Sequence, residues 1–191
     1  MSGSNGHGDL CVHFLFQWEW AEGRILNVGC DCDPAELRRD KGAVNMDVLR
    51  VHPSLGYPLK VDIIHDIRDP LPDDLKGRFD TVIFGDVIEH MTEEDGLKSL
   101  RNLKEALAPK GHLVITCPHD FRDQKALEPY YEKKGIKIME EYVPGVTGHH
   151  RVIPPLELMR MIESVGYGID VWKPLNYGFF RGTGAVCEVV W

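Results

Sequence analysis

A chain of 191 residues, 43% hydrophobic and 27% charged, has the size and composition of one globular domain, with no room for a second full core. Its formal charge of −8 argues against a protein that holds long nucleic acid by its phosphates; the densest basic cluster, Arg38-Arg39-Asp40-Lys41, is short, interrupted and reads as a solvated helix end. No apolar run approaches the roughly 20 residues needed to span a bilayer.

The Gly-, Ser- and Asn-rich stretch from Met1 to Asp9 has neither the basic start nor the apolar core of a secretion signal, and is expected to be a disordered tail (1–9) before a single domain (10–191). Five cysteines make an odd count, and three of them (Cys30, Cys117, Cys187) sit in or beside apolar runs. Reduced thiols in a cytoplasmic protein explain that pattern better than a disulfide framework.

The apolar and aromatic run Leu10–Ala21 is expected to be a covering helix or an edge strand. The chain then alternates. Arg24–Val28 is predicted as a strand, Pro34–Lys41 as a short helix capped by Asp33, and Ala43–Met46 and Val61–His65 as two further strands. Phe79–Phe84, bounded by Gly77 and Gly85, is a fourth strand. Glu93–Ala108 is predicted helical, because Leu97, Leu100, Leu103 and Leu107 recur three or four apart, and Pro109-Lys110-Gly111 should stop it before a fifth strand, His112–Cys117. Phe121–Lys134 is expected to be helical, 135–153 irregular or a short hairpin, and Pro155–Val165 a helix ending at Gly166. Ile169–Trp172 and Ala185–Trp191 would be the closing strands. Strands alternating with helices at this spacing predict a mostly parallel sheet covered on both faces.

In such sheets ligands bind beyond the carboxyl ends of the strands. Those ends carry, in order, Gly29-Cys30-Asp31, then Asp47, then Asp66, then Gly85-Asp86-Val87-Ile88-Glu89-His90, then Pro118-His119. A glycine at the first turn allows a close backbone approach, and a carboxylate ending the second strand is placed to accept ribose hydroxyls. One strand-end aspartate is a common turn former; five polar tips in register are hard to obtain by chance.

Taken together, Leu26-Asn27-Val28-Gly29-Cys30, Val44-Asn45-Met46-Asp47, the stretch from His65 to Pro72, Phe79 to Met91 and Leu107 to His119 resemble the motifs of class I S-adenosylmethionine-dependent methyltransferases. The resemblance covers about Arg24 to Val165. It implies an α/β Rossmann-like fold, a seven-stranded mostly parallel sheet in the order 3-2-1-4-5-7-6 with only the last strand antiparallel and helices on both faces. It implies S-adenosylmethionine as cofactor. Gly29 and Cys30 would pass its methionine part, Asp47 would hold the ribose, and Met46 or Val48 would lie against the adenine. Asp66 would meet the adenine amino group with Ile67 packed nearby, and Asp86 and Val87 would line the methionine end; Asn27, Asp31 and Gly85 complete the expected set. The chain departs from the family where the first motif continues with two more glycines: Asp31 and Asp33 stand there. Aspartate tolerates a left-handed backbone, so the turn can still form, and a carboxylate there is within reach of the cofactor's ammonium group.

Methyl transfer from a sulfonium needs positioning and, for a hydroxyl or similar acceptor, a general base. Histidine is the natural base near neutral pH; His90 and His119, at the fourth and fifth strand ends, are the candidates, with the pair His149-His150 a third place. His90 also admits a purely structural reading as an organiser of its loop. A different assignment groups Asp86, Glu89 and His90 on one face of a helical turn, with His150 completing a divalent-cation site. That arrangement resembles the metal-dependent small-RNA 2′-hydroxyl methyltransferases of plants, with Asp86 in place of their glutamate. The acidic composition opposes an RNA substrate, and the favoured assignment contains no metal. The segment 121–151, with Tyr130, Tyr131, Tyr142, Gly145 and Gly148, suits a lid over the acceptor. A nicotinamide-dependent oxidoreductase would need a G-x-G-x-x-G turn, which is absent; a non-catalytic cofactor-binding module would need no base. The expectation is therefore methyl transfer to a small-molecule or saccharide acceptor, without nucleic-acid or membrane partners and with the oligomeric state left open.

Overall fold

The computed structural model describes residues 10–30, 41–51, 58–120, 151, 153–177 and 180–190. Helix α1 (Leu10–Trp20) opens the fold and is followed by strand β1 (Ile25–Val28), β2 (Val44–Asp47), β3 (Ile63–Ile64) and β4 (Phe79–Gly85). Helix α2 (Glu93–Ala106), strand β5 (Leu107–Asp120), helix α3 (Pro155–Ser164) and strands β6 (Tyr167–Tyr177) and β7 (Phe180–Val189) complete it. The seven strands form one sheet in the order β3-β2-β1-β4-β5-β7-β6. Neighbours from β3 to β5 pair in parallel, whereas β7 runs antiparallel to both β5 and β6. This is the order and the single reversed strand that the resemblance implies. No helix among the described residues is long and apolar enough to cross a membrane.

The observed elements settle one open expectation and move several expected boundaries. Leu10–Trp20 is a helix, which settles the open choice between helix and edge strand. Helix α2 stops at Ala106 and β5 begins at once, because Leu107 pairs with Phe79; the register then shifts before Thr81 meets His112. The Pro109-Lys110-Gly111 stop lies in that irregular stretch, where Lys110 takes a left-handed φ of 66°. β3 shrinks to two residues, while β6 and β7 outgrow their predicted lengths because they pair with each other as far as Tyr177 and Phe180. The predicted helix 121–134 and the irregular segment as far as His150 lie outside the described residues, as does the helix predicted from Pro34, of which only Lys41 is described.

Strand residues alternate between two faces, and the faces are covered differently. Leu26, Val28, Met46, Val82, Phe84, Leu113 and Ile115 join Leu100 and Leu103 of α2 and Leu158 and Ile162 of α3 in the larger core. Thr92 caps α2 by accepting from the Asp95 N–H at 3.1 Å, and Glu93, Glu94 and Asp95 place negative charge at its first turn. On the opposite face Ile25, Ile83, Val114 and Val186 pack with Phe16 of α1. Here glycines set how closely the helix sits: a Cβ on Gly184 would stand 2.7 Å from the Phe16 ring, and Cβ atoms on Gly85 and Gly182 would overlap Gln17 and His13.

Candidate active site

The tips of β1 to β5 meet at one edge of the sheet. Gly29 leaves β1 with φ 74°, its N–H donating to the Met46 carbonyl at 2.9 Å. An added Cβ there would overlap the Val87 side chain, so the turn leaving β4 lies directly against the turn leaving β1. Both the backbone angle and the space require glycine. Cys30 follows it and is buried, as are the free thiols Cys117 and Cys187.

Asp47 ends β2, buried, with Oδ1 accepting the Leu49 N–H at 2.8 Å. Its own carbonyl accepts the His65 N–H at 3.0 Å, which ties the β2 and β3 tips together. The carboxylate thus orders the turn that carries Val48, and Val48 is 40% exposed. Met46 is the correction at this tip: it is fully enclosed in the larger core and offers no surface to an adenine. Asn27 is likewise internal, its Nδ2 donating to Asn45 Oδ1 at 3.3 Å.

Beyond β3, Asp66 is held by Arg68, whose Nε donates at 2.8 Å and whose N–H donates at 3.0 Å. These bonds hold the Asp66 carboxyl below the usual carboxylate range, against the opposing effect of its partial burial. Ile67 is buried, and Asn102 of α2 donates to the Ile67 and Asp69 carbonyls at 2.7 and 2.8 Å, which pins the loop from below.

The exit of β4 overturns one expectation. Asp86 adopts a left-handed φ of 54°, and a short 3-10 turn spans Ile88–His90 only. Asp86, Glu89 and His90 therefore do not share a face of a continuous helical turn. Asp86 instead turns to α1, where His13 Nδ1 lies 2.7 and 2.9 Å from its two carboxylate oxygens, and its N–H donates to the Thr116 carbonyl at 3.0 Å. Glu89 is completely buried; burial first, and the nearby Asp86 second, push its carboxyl well above the usual range. His90 is half-buried with Nε2 3.8 Å from Glu89 Oε1. Among the described residues no three His, Cys, Asp or Glu groups converge as cation ligands. His119 falls in β5, and its side chain, with Asp31, Asp33, His149, His150 and the segment 121–150, lies outside the described part.

Two side chains at this edge were not anticipated: His13, and Gln17, whose Nε2 donates to Thr116 Oγ1 at 2.9 Å. Their signal in the sequence is the spacing of His13 and Gln17, four apart in a mostly apolar helix, which places both on one face.

A family model described as a methyltransferase domain matches residues 9–170. No curated protein matches the chain. Among solved structures, it resembles the trans-methyltransferase CalH in complex with SAH (TM-score 0.61, 17% identity), covering 94% of this chain and 55% of CalH. It also resembles the [4+2]-cyclase SpnF (0.60, 16% identity, 94% of this chain and 80% of SpnF). A third is a SAM-dependent methyltransferase from Methanosarcina mazei (0.59, 14% identity, 93% of this chain and 97% of that one). The chain thus spans about half of CalH and nearly all of the Methanosarcina protein. At such identities the structures speak for the fold, and a cyclase among them shows that the fold alone does not fix the reaction. The family match, over most of the chain and across every strand tip just described, carries the assignment: this chain belongs to the class I S-adenosylmethionine-dependent methyltransferases.

Proposed function

We propose that the domain methylates an oxygen or nitrogen of a small-molecule or saccharide acceptor, with S-adenosylmethionine lying across the tips of β1, β2 and β4. The observation that supports this most is the left-handed Gly29 turn, packed against Val87 with no room for a Cβ, beside the buried Asp47 carboxylate that orders the next strand tip. The cofactor, when bound, supplies an activated methyl group. The protein's part is to hold and orient. Asp47 holds the ribose hydroxyls, Val48 covers the adenine and Asp66 meets its amino group. Gly29, Cys30 and Asp31 pass the methionine part, with Gly85, Asp86 and Val87 at its far end. His90 or His119 takes the acceptor's proton, and 121–151 covers the acceptor. The net acidity argues against a nucleic-acid acceptor, and a cytoplasmic location is part of the same reading.

The test is transfer of labelled methyl from S-adenosylmethionine into fractionated metabolites and oligosaccharides, with and without chelator. We expect a labelled small product, unaffected by chelator, and loss of turnover with retained cofactor affinity in His90→Ala or His119→Ala. Turnover that disappears with chelator and returns with one divalent cation would contradict the metal-free base.

A further inference from the structure

We propose that His13 of α1 is a positioning residue for the methionine end of the cofactor cleft, acting through Asp86. The inference rests on the cofactor reading above and adds to it a residue from outside the strand-tip motifs.

Asp86 is one of two described non-glycine residues with a left-handed backbone. Such a conformation persists only where its surroundings over-determine it. Two bonds do so here: the Asp86 N–H to the Thr116 carbonyl, and the His13 ring across both carboxylate oxygens. The angle at Asp86 sets where the next residue goes, and that residue, Val87, closes over Gly29. Without His13 the carboxylate loses its partner from α1, the turn relaxes toward an ordinary backbone angle, and Val87 moves off Gly29.

The ring is itself held. His13 is 7% exposed, and its far edge, with Nε2, packs against Gly182, where a Cβ would overlap it. With one nitrogen on Asp86 and the other against the backbone of β7, the ring is placed to hold the carboxylate rather than to relay an acceptor's proton. One turn along α1, Gln17 sits over Gly85 and donates to Thr116, so the same helix grips both residues that precede and support the left-handed turn. Gly85, Gly182 and Gly184, on two separate strands, all leave room for α1 side chains. This seat orients His13; a helix held by apolar packing alone would not need it.

The experiment is calorimetric titration of S-adenosylhomocysteine into the full chain and into His13→Ala, His13→Asn and Gly182→Ala, well below each melting temperature. Asparagine can present an N–H near the position of Nδ1, and Gly182→Ala displaces the ring without removing it. Loss of a hydrogen bond to a charged group predicts affinity about tenfold weaker or more in His13→Ala and Gly182→Ala, with His13→Asn recovering most of it. If folded His13→Ala binds as the parent does, the positioning role is wrong while the cofactor reading stands. If His13→Ala does not fold, Gly182→Ala decides: parental affinity there overturns the role equally. A parent chain that binds no S-adenosylhomocysteine overturns both.

Discussion

Toward α2 and α3 the sheet presents Leu26, Val28, Met46, Val82, Phe84, Leu113 and Ile115, all of them enclosed in one apolar cluster. Toward α1 the intervening residues of the same strands include Asn27, Thr81, Gly85 and Thr116, with Gly182 and Gly184 of β7. Polar bonds join this second face to α1 and the turn after it: Thr81 Oγ1 donates to the Glu22 carbonyl at 2.7 Å, His112 Nε2 lies 2.9 Å from the Trp20 carbonyl, and Gln17 reaches Thr116. The first face is held chiefly by non-directional burial. The second adds to a smaller apolar cluster directional bonds and close backbone approach, which tolerate little displacement. A domain that must keep strand tips fixed around a ligand gains from dividing the work in this way, stability on one side and geometry on the other.

Substitutions should separate the two. Leu103→Ala, in the α2 side core with no exposed surface, should cost about 2–5 kcal/mol of stability, read by denaturant unfolding, while leaving cofactor affinity unchanged below its melting temperature. Asp47→Ala should do the reverse, costing about 2–4 kcal/mol of cofactor binding with a smaller effect on stability. Equal losses of both quantities in both variants would erase the distinction. Thr92→Ala removes the α2 cap and should lower stability by about 1 kcal/mol, again without touching affinity.

The smallest effect concerns Glu89, which is completely buried and whose carboxyl that burial pushes well above the usual range. Because its folded pKa is raised, the folded state binds more protons than the unfolded one. Its contribution to stability is therefore full below the ordinary glutamate range near 4.3 and is lost as pH rises from there toward the folded value. Glu89→Gln should flatten that part of the stability–pH curve. An unchanged slope would mean that the carboxyl is ionised in place.

The strand tips were legible because each combines a local apolar run with a turn residue, as in Leu26-Asn27-Val28-Gly29 or Met46-Asp47. Strand order followed from family resemblance, since no local pattern encodes which strand is neighbour to which. What escaped the sequence depends on partners far along the chain. Leu10–Trp20 is apolar almost all round, so no stripe marks it as a helix or shows which side faces the sheet. His13 meets Asp86 across 73 residues, and only the fold brings them together. The reading of Asp86, Glu89 and His90 as one helical face failed because it assumed a regular backbone at a position that is left-handed. The resemblance implies Met46 or Val48 against the adenine without saying which faces out; Met46 points into the larger core, and Val48, beyond the strand, is exposed.

The central claim is that the tips of β1, β2 and β4 form a cofactor cleft organised by Asp47. Calorimetric titration of S-adenosylhomocysteine into the parent and into Asp47→Ala, with melting temperatures recorded alongside, tests it most directly. Saturable binding to the parent with a raised melting temperature, and affinity lower by about 30- to 900-fold in a folded Asp47→Ala, is the predicted result. No heat and no thermal shift in the parent at millimolar ligand, or parental affinity in Asp47→Ala, would contradict it.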